Sequence, residues 1–147
     1  MSSPAQPPRR ILAVDYGDRR TGLAATDWTG SIRVPLPRID ESDPQQLATA
    51  IAEIARERDS ELVLLGMPLG LDGSVGQRAQ RTQAFAEVLA AAIAPLPLTS
   101  IDESHSTDEA HARLKLTGMK AARRKGLADS LAALVILERY QGTQKGN

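Results

Sequence analysis

Residues 11–36, ILAVDYGDRRTGLAATDWTGSIRVPL, decide the fold. Ile11 to Tyr16 is an apolar, partly β-branched run ending at Gly17-Asp18, which predicts a strand entering a turn. Residues 21–26 (TGLAAT) predict a returning strand, Asp27 to Gly30 a second turn, and residues 31–36 (SIRVPL) a third strand. Pro35 and Pro37 lack backbone N–H donors, so they confine that third strand to an edge or end it. The N-terminal third therefore reads as an antiparallel meander.

Beyond it the apolar period changes. Asp43 is placed to cap a helix with Pro44 at its first position, and Leu47, Ile51, Ile54 and Ala55 recur at helical spacing. Residues 62–66 (LVLLG) form a short continuous apolar run, as a buried parallel strand requires. A glycine-rich turn and a helix from about Val75 to Ile93 follow, then a strand over residues 97–102. Ser106-Thr107-Asp108-Glu109 has the pattern that opens a third helix, and a last helix is expected over about Leu127 to Tyr140. Residues 131–137 are apolar nearly all round, so that helix should be deeply buried. The order is β-β-β-α-β-α-β-α-α, an α/β chain with no internal repeat. Residues 1–9 and 142–147 read as flexible tails around a single domain spanning 10–141.

Composition bounds the function. At 147 residues the chain is long enough for one domain with a real core, but too short for two lobes. Lys and Arg number 18 and Asp and Glu 18, so a uniformly basic nucleic-acid coat is excluded while a local basic patch is not. Aromatic residues are 3% of the chain, which argues against recognition by several stacked bases. The absence of cysteine excludes disulfides, thiol catalysis and zinc–thiolate sites, and fits a reducing cytoplasm. Residues 2–8 are polar and Pro-rich, unlike the apolar core of a signal peptide. The longest uncharged apolar stretch, Val88 to Leu98, is too short and too broken by proline to span a bilayer. No membrane association is expected.

Charge is uneven along the chain. Residues 40–61 hold seven acids and two bases, whereas residues 113–125 hold six bases and no acid. Arg113, Lys115, Lys120, Arg123, Arg124 and Lys125 form either a solvated surface segment or a basic loop that clamps phosphate.

Four motifs can carry chemistry. In Asp15-Tyr16-Gly17-Asp18-Arg19-Arg20-Thr21-Gly22, Asp15 lies inside an apolar run, where a carboxylate is costly unless paired or bound to a cation. An Asp-x-Gly turn after a strand also opens the phosphate-binding hairpin of actin-like ATPases and sugar kinases, but those need a second lobe. Gly66 to Gln77 follows a strand and opens a helix, with Ser74 and Gln77 at capping-box spacing. It reads as a capped helix after a loop or as a phosphate-holding helix start, and it lacks the lysine of a Walker loop. In Asp102-Glu103-Ser104-His105-Ser106-Thr107 two acids end a strand. Strand alternation sends them to opposite faces, so only one belongs to a shared site. Asp129 shares a helical face with Ala132, Ala133 and Ile136, which points it with the buried side of an apolar helix. His111 reads as a surface residue. His105, beside Glu103, is open to a metal-ligand or acid role.

Taken in order, these motifs resemble the YqgF family, also called RuvX, small bacterial proteins related to the RuvC Holliday-junction resolvases. The family's Asp-x-Gly turn with basic residues matches Asp15, Gly17, Arg19, Arg20 and Gly22. Its Gly-x-Pro and Asp-Gly-Ser loop matches Gly66, Pro68, Asp72, Gly73 and Ser74. Its Asp-Glu-Arg-x-Ser-Thr motif matches Asp102, Glu103, Ser106 and Thr107, and its Lys-Gly-x-x-Asp-Ser motif matches Lys125, Gly126, Asp129 and Ser130. The matches run over about residues 11–140. This sequence departs from the pattern at Ser104, where the family has Arg, and at His105, where it has an apolar residue.

The resemblance implies an RNase H-like fold: a mixed five-stranded sheet, antiparallel through β1-β2-β3 and then parallel through β4 and β5, flanked by helices. It implies a nuclease dependent on two Mg²⁺ or Mn²⁺ ions, with Asp15, Glu103 and Asp129 as the catalytic and metal-binding acids. Asp15 would bridge the ions. Hard divalent cations prefer carboxylate oxygens and neutralise acids that would otherwise repel one another. Arg19, Arg20, Ser74, Lys120, Arg123, Arg124 and Lys125 are the candidate nucleic-acid contacts, with His105 and Asp102 as auxiliary candidates. The expected substrate is structured RNA in 5′-end processing of pre-16S rRNA within a pre-ribosomal particle. The alternatives are junction resolution on branched DNA and a non-catalytic nucleic-acid-binding module. A junction resolvase should be a two-fold dimer, whereas an RNA-processing enzyme can act as a monomer.

Overall fold

A computed structural model describes residues 7–69, 75–103 and 121–145; in the last segment, side chains are described for residues 130–143. The elements are β1 (Ile11–Asp15), β2 (Arg20–Thr26), β3 (Arg33–Asp40), α1 (Pro44–Glu57), β4 (Leu62–Met67), α2 (Gln77–Ile93), β5 (Leu98–Asp102) and α3 (Ala121–Lys145). The five strands form one sheet in the order β3-β2-β1-β4-β5. β1 pairs antiparallel with β2 and parallel with β4, β2 pairs antiparallel with β3, and β4 pairs parallel with β5. This mixed sheet with flanking helices is the RNase H-like arrangement that the sequence resemblance implies.

β3 is an edge strand, as its prolines require, but it runs on to Asp40 rather than stopping near residue 36. The register between β2 and β3 slips between Thr21 and Leu23. Two steps on β2 oppose three on β3, from Leu36 to Ile39, and Pro37 falls in that bulge. Pairing therefore resumes past a residue that cannot donate to it.

Alternation along β1 divides the core in two. Leu12 and Val14 join Leu23, Leu47, Ile51, Val63, Leu65, Phe85 and Leu89 on the face covered by α1 and α2. Ile11 and Ala13 join Ala24, Leu62, Leu64, Ala133, Ile136 and Leu137 on the face covered by α3. α1 begins as its sequence predicts, with the Asp43 carboxylate accepting from Gln46 N–H at 2.9 Å and Pro44 in the first turn. Burying a side chain such as Ile51 or Phe85 contributes about 1.5–3 kcal/mol.

Two helices differ from the sequence expectation. α2 begins at Gln77, and its N-cap is Gly76, with no side-chain cap. Gln77 thus occupies the first helical position, not the third that a capping box with Ser74 needs. α3 covers Ala121–Lys145, so Arg123, Arg124 and Lys125 stand on a helix rather than in the basic loop expected over 113–125. α3 also continues to Lys145, through residues the sequence places in a tail. Its long apolar stretch lies across β1, β2 and β3, and that packing stabilises flanking turns of lower intrinsic preference. The helix expected to open at Ser106 lies outside the described residues. Among the described residues no helix is long and apolar enough to cross a membrane.

Candidate active site

The site is built where β1 and β5 end, on the α3 face of the sheet. Asp15 is the last residue of β1, and alternation puts it with Ile11 and Ala13, away from α1 and α2. Its neighbour Tyr16 turns the other way and stacks on Phe85, with ring centroids 4.4 Å apart. Desolvation raises the Tyr16 phenol pKa, with a further push from the Asp18 carboxylate. Gly17 closes the turn behind Asp15. A Cβ there would collide with the Arg20 carbonyl, so only glycine fits.

Asp102 and Glu103 separate as strand alternation requires. Asp102 is exposed, and its carbonyl accepts from Arg139 at 3.3 Å. Glu103 is buried, 5% exposed, and its N–H donates to the Met67 carbonyl at 3.1 Å, which extends the β4–β5 ladder by one step. Asp15 is 7% exposed. Two carboxylates are therefore held at one end of the sheet with little water around them.

Gly66 of β4 lies between them. The β1–β4 register pairs Val14 with Leu65, and one further step brings Asp15 level with Gly66. A Cβ built on Gly66 would stand 2.7 Å from Glu103 Oε2 and 2.5 Å from Ile136 Cδ1. Any side chain at residue 66 would fill the space that the Glu103 carboxylate occupies.

Arg78, in the first turn of α2, reaches this space from solvent. Its Nη2 lies 4.0 Å from Asp15 Oδ1 and 3.9 Å from Glu103 Oε1, so one nitrogen serves both acids. The arginine is 58% exposed while its partners are almost fully covered. Sequence reading does not single out Arg78, because only the chain's return through β4 and α2 brings it to the acids. The motif before it, Asp-Gly-Ser-Val-Gly-Gln, marks the loop but not the cation that follows. Arg81, one turn on, pairs with Asp18 at 3.6 Å and ties α2 to the β1–β2 turn.

Glu103 Oε2 is buried without a hydrogen-bond partner among the described residues. A buried carboxylate oxygen in that condition is costly, and a cation is the usual remedy. Hard carboxylate donors, a space kept clear by glycine and an unsatisfied oxygen all fit a divalent ion. Asp129 lies on α3, three, four and seven residues before Ala132, Ala133 and Ile136, which are all buried. That register aligns it with the helix face whose Ile136 closes on Gly66; its side chain is outside the described residues. The next residue, Ser130, is buried and donates to the Leu36 carbonyl at 2.6 Å, anchoring this part of α3 to the edge strand.

The remaining sequence candidates divide simply. Arg19 and Arg20 are exposed on the turn after Asp15. Arg123, Arg124 and Lys125 lie on α3, with side chains outside the described residues. Ser74, His105 and Lys120 lie outside the described residues altogether. Among the described residues no group of three acids or histidines gathers to hold a metal.

A family model described as "RuvX: Holliday junction resolvase" matches residues 9–142. A protein of Synechococcus sp. named "Putative pre-16S rRNA nuclease" is 38% identical over 134 residues, covering 91% of this chain and 89% of that one. A protein of the same name from Chloroflexus aurantiacus is 34% identical over 137 residues, covering 93% and 89%. Among solved structures, T. thermophilus RuvC in complex with a Holliday junction substrate superposes with a TM-score of 0.60 at 16% identity, covering 93% of this chain and 96% of that one. The Fowlpox virus resolvase, also in complex with Holliday junction DNA, superposes with a TM-score of 0.57 at 12% identity, covering 92% and 98%.

Proposed function

The chain belongs to the RuvX family, and on that premise we propose that it is a divalent-metal-dependent endonuclease that processes the 5′ end of pre-16S rRNA. The observation that carries the reading is the pair of buried carboxylates, Asp15 and Glu103, held beside Gly66 with one Glu103 oxygen unsatisfied. The relatives' shared name points to the substrate.

Asp15, Glu103 and Asp129 would hold Mg²⁺ or Mn²⁺, two ions in all. When bound, the metal supplies an activated water and stabilises the leaving oxygen of the phosphodiester. The protein's own residues do the rest. Gly66 keeps the space between the strands clear, and Ile136 walls it from the core. Arg78 offsets the charge of the two acids. Arg19 and Arg20 stand at the rim beside Asp15, where they can hold the substrate backbone. Ser74, Lys120, Arg123, Arg124 and Lys125 are proposed as further phosphate contacts, with Asp102 and His105 as auxiliary groups. A soluble cytoplasmic protein of one domain over residues 10–141, monomeric or dimeric, suits this role.

Junction resolution is the second reading, and the description of the matching family model favours it. Purified protein with Mg²⁺ or Mn²⁺ should cut a 16S precursor near its mature 5′ end, and Asp15→Asn or Asp129→Asn should abolish the cut. Depletion in the source cell should leave unprocessed 16S 5′ ends. Normal ends on depletion, together with symmetric cutting of four-way junctions, would reverse the two readings. Metal-independent binding with no turnover on either substrate would make the protein a non-catalytic binding module.

A further inference from the structure

The end of the sheet opposite the carboxylates carries a feature that cleavage does not use. The β2–β3 turn presents Trp28, 79% exposed, and Ile32, 60% exposed. Trp28 is the chain's one tryptophan. The turn that holds it is tied by its own hydrogen bonds. The Asp27 carboxylate accepts from Thr29 Oγ1 at 2.9 Å and from Ile32 N–H at 3.1 Å. Asp27 N–H donates to the Ile32 carbonyl at 2.8 Å. These local bonds, the Ile32 N–H foremost, hold the Asp27 carboxyl below the usual carboxylate range.

From the other side, α3 fastens the turn. Gln141 donates through Nε2 to the Gly30 carbonyl at 3.2 Å and accepts through Oε1 from Arg33 Nε. An indole that is 79% exposed on such a turn buries little surface for the fold. The turn shapes one wall of a cavity of about 400 Å³, lined among others by Arg9, Thr29, Ser31, Arg33 and Gln141. Glu61 Oε1 accepts from the backbone N–H groups of Arg9 and Arg10 at 3.2 Å and lies 3.5 Å from the Arg10 guanidinium, whereas Arg33 gives its Nε to neutral Gln141.

We propose that this turn is a second nucleic-acid contact, in which Trp28 stacks on a base of a single strand while Arg9 and Arg33 hold its phosphates. A flat π-face beside guanidinium groups is the chemistry that binds single strands without reading their sequence. A protein partner would call for a contiguous apolar centre. Here the exposed large apolar residues are two, and the cavity beside them is lined with polar and cationic groups. The contact lies about 18 Å from Asp129 along α3, the rise of the twelve residues to Gln141. A strand reaching both ends would be held flanking the cleavage position, outside the groups that react. The inference rests on the nucleic-acid reading above and extends it to a surface that reading leaves idle.

The test uses the full-length protein with EDTA, so that binding is measured without cleavage. Trp28 emission should be quenched by a 20-nucleotide single-stranded RNA, with a DNA strand of the same sequence run beside it. A response to both strands is the expected result, since stacking and phosphate contact do not require the 2′-hydroxyl. Labelled-strand anisotropy should show affinity falling about ten-fold in Trp28→Ala and recovering in Trp28→Phe. In Arg9→Ala/Arg33→Ala the slope of log affinity against log salt should become shallower by about 1.4, two phosphates' worth. Emission unmoved at saturation, or affinity unchanged by Trp28→Ala while the wild type binds, overturns this contact alone and leaves the turn to a protein partner. A wild type that binds neither single strand overturns this contact, and one that also fails to bind a structured 16S precursor or a four-way junction overturns the nucleic-acid reading beneath it.

Discussion

The face of the sheet under α1 and α2 is packed with Leu12, Val14, Leu23, Leu47, Ile51, Val63, Leu65, Phe85 and Leu89. The face under α3 is also apolar, with Ile11, Leu62, Leu64, Ile136 and Leu137, but where the strands end it has Gly66 and carries the buried carboxylates of Asp15 and Glu103. Both faces supply burial, and on the α3 face Gly66 also leaves room for charge. Two neighbouring buried acids oppose folding, and Arg78 offsets them only from the solvent side. The face that stabilises the protein and the face also proposed to react are thus separate layers of one sheet, and substitutions should separate them too.

The largest effect is expected from Asp15→Asn. Single-turnover cleavage should fall on the order of 10³-fold or more, as when one member of a catalytic unit is removed. Thermal unfolding should show the midpoint kept or raised, because one of two adjacent buried negative charges is gone. A variant that lost stability along with activity would erase the distinction between the faces.

Ile51→Ala should do the reverse. It opens a cavity on the α1 and α2 face and should cost about 2–5 kcal/mol in denaturant unfolding. Cleavage per folded molecule, measured well below the melting range, should stay at the wild-type level. Reduced turnover at full folding would mean that the two layers are coupled.

Gly66→Ala tests the boundary between them. The added methyl meets Ile136 and Glu103 at 2.5 and 2.7 Å, so one of them must move. The expected cost is about 1–3 kcal/mol, the scale of overpacking. Weaker Mn²⁺ binding by calorimetry should accompany it if Glu103 is displaced. Unchanged stability and metal affinity would show that the space between the strands has slack.

The smallest effect contrasts these acids with Asp27, whose carboxylate is satisfied by its own turn. Its folded pKa is depressed, chiefly by the Ile32 N–H. The stabilisation it lends is therefore complete above the ordinary carboxylate pKa and is lost as pH falls through the depressed folded value. Amide chemical shifts of Ile32 and Ser31 should report a midpoint below that of an ordinary Asp. A midpoint at the ordinary value would mean that the turn's hydrogen bonds are broken in solution.

Much of this arrangement is legible in the chain because it rests on local periodicity. The apolar runs at 11–16 and 62–66, the helical spacing after Asp43-Pro44, and the opposite faces of Asp102 and Glu103 all follow from how a strand or helix points successive side chains. Pro35 and Pro37 mark an edge strand for the same reason, since a missing N–H is a local fact. Where local rules fall short, packing intervenes. The bulge at Pro37 lets β3 continue, and packing against β1, β2 and β3 supports an α3 that runs on to Lys145.

What the sequence by itself determined is the order of elements, the strand ends at which acids stand, and the family pattern those acids match. Tertiary structure alone decided that Asp15 and Glu103 share one cleared space beside Gly66, that Arg78 spans them, and that Ser130 reaches the carbonyl of Leu36. It also set Gln141 against the turn of Trp28, far along the chain. Each of these depends on the parallel return of β4 and β5 beside β1 and on the path of α3 across the sheet. Contacts between residues dozens of positions apart leave no period in a sequence, and only the closed sheet makes them neighbours.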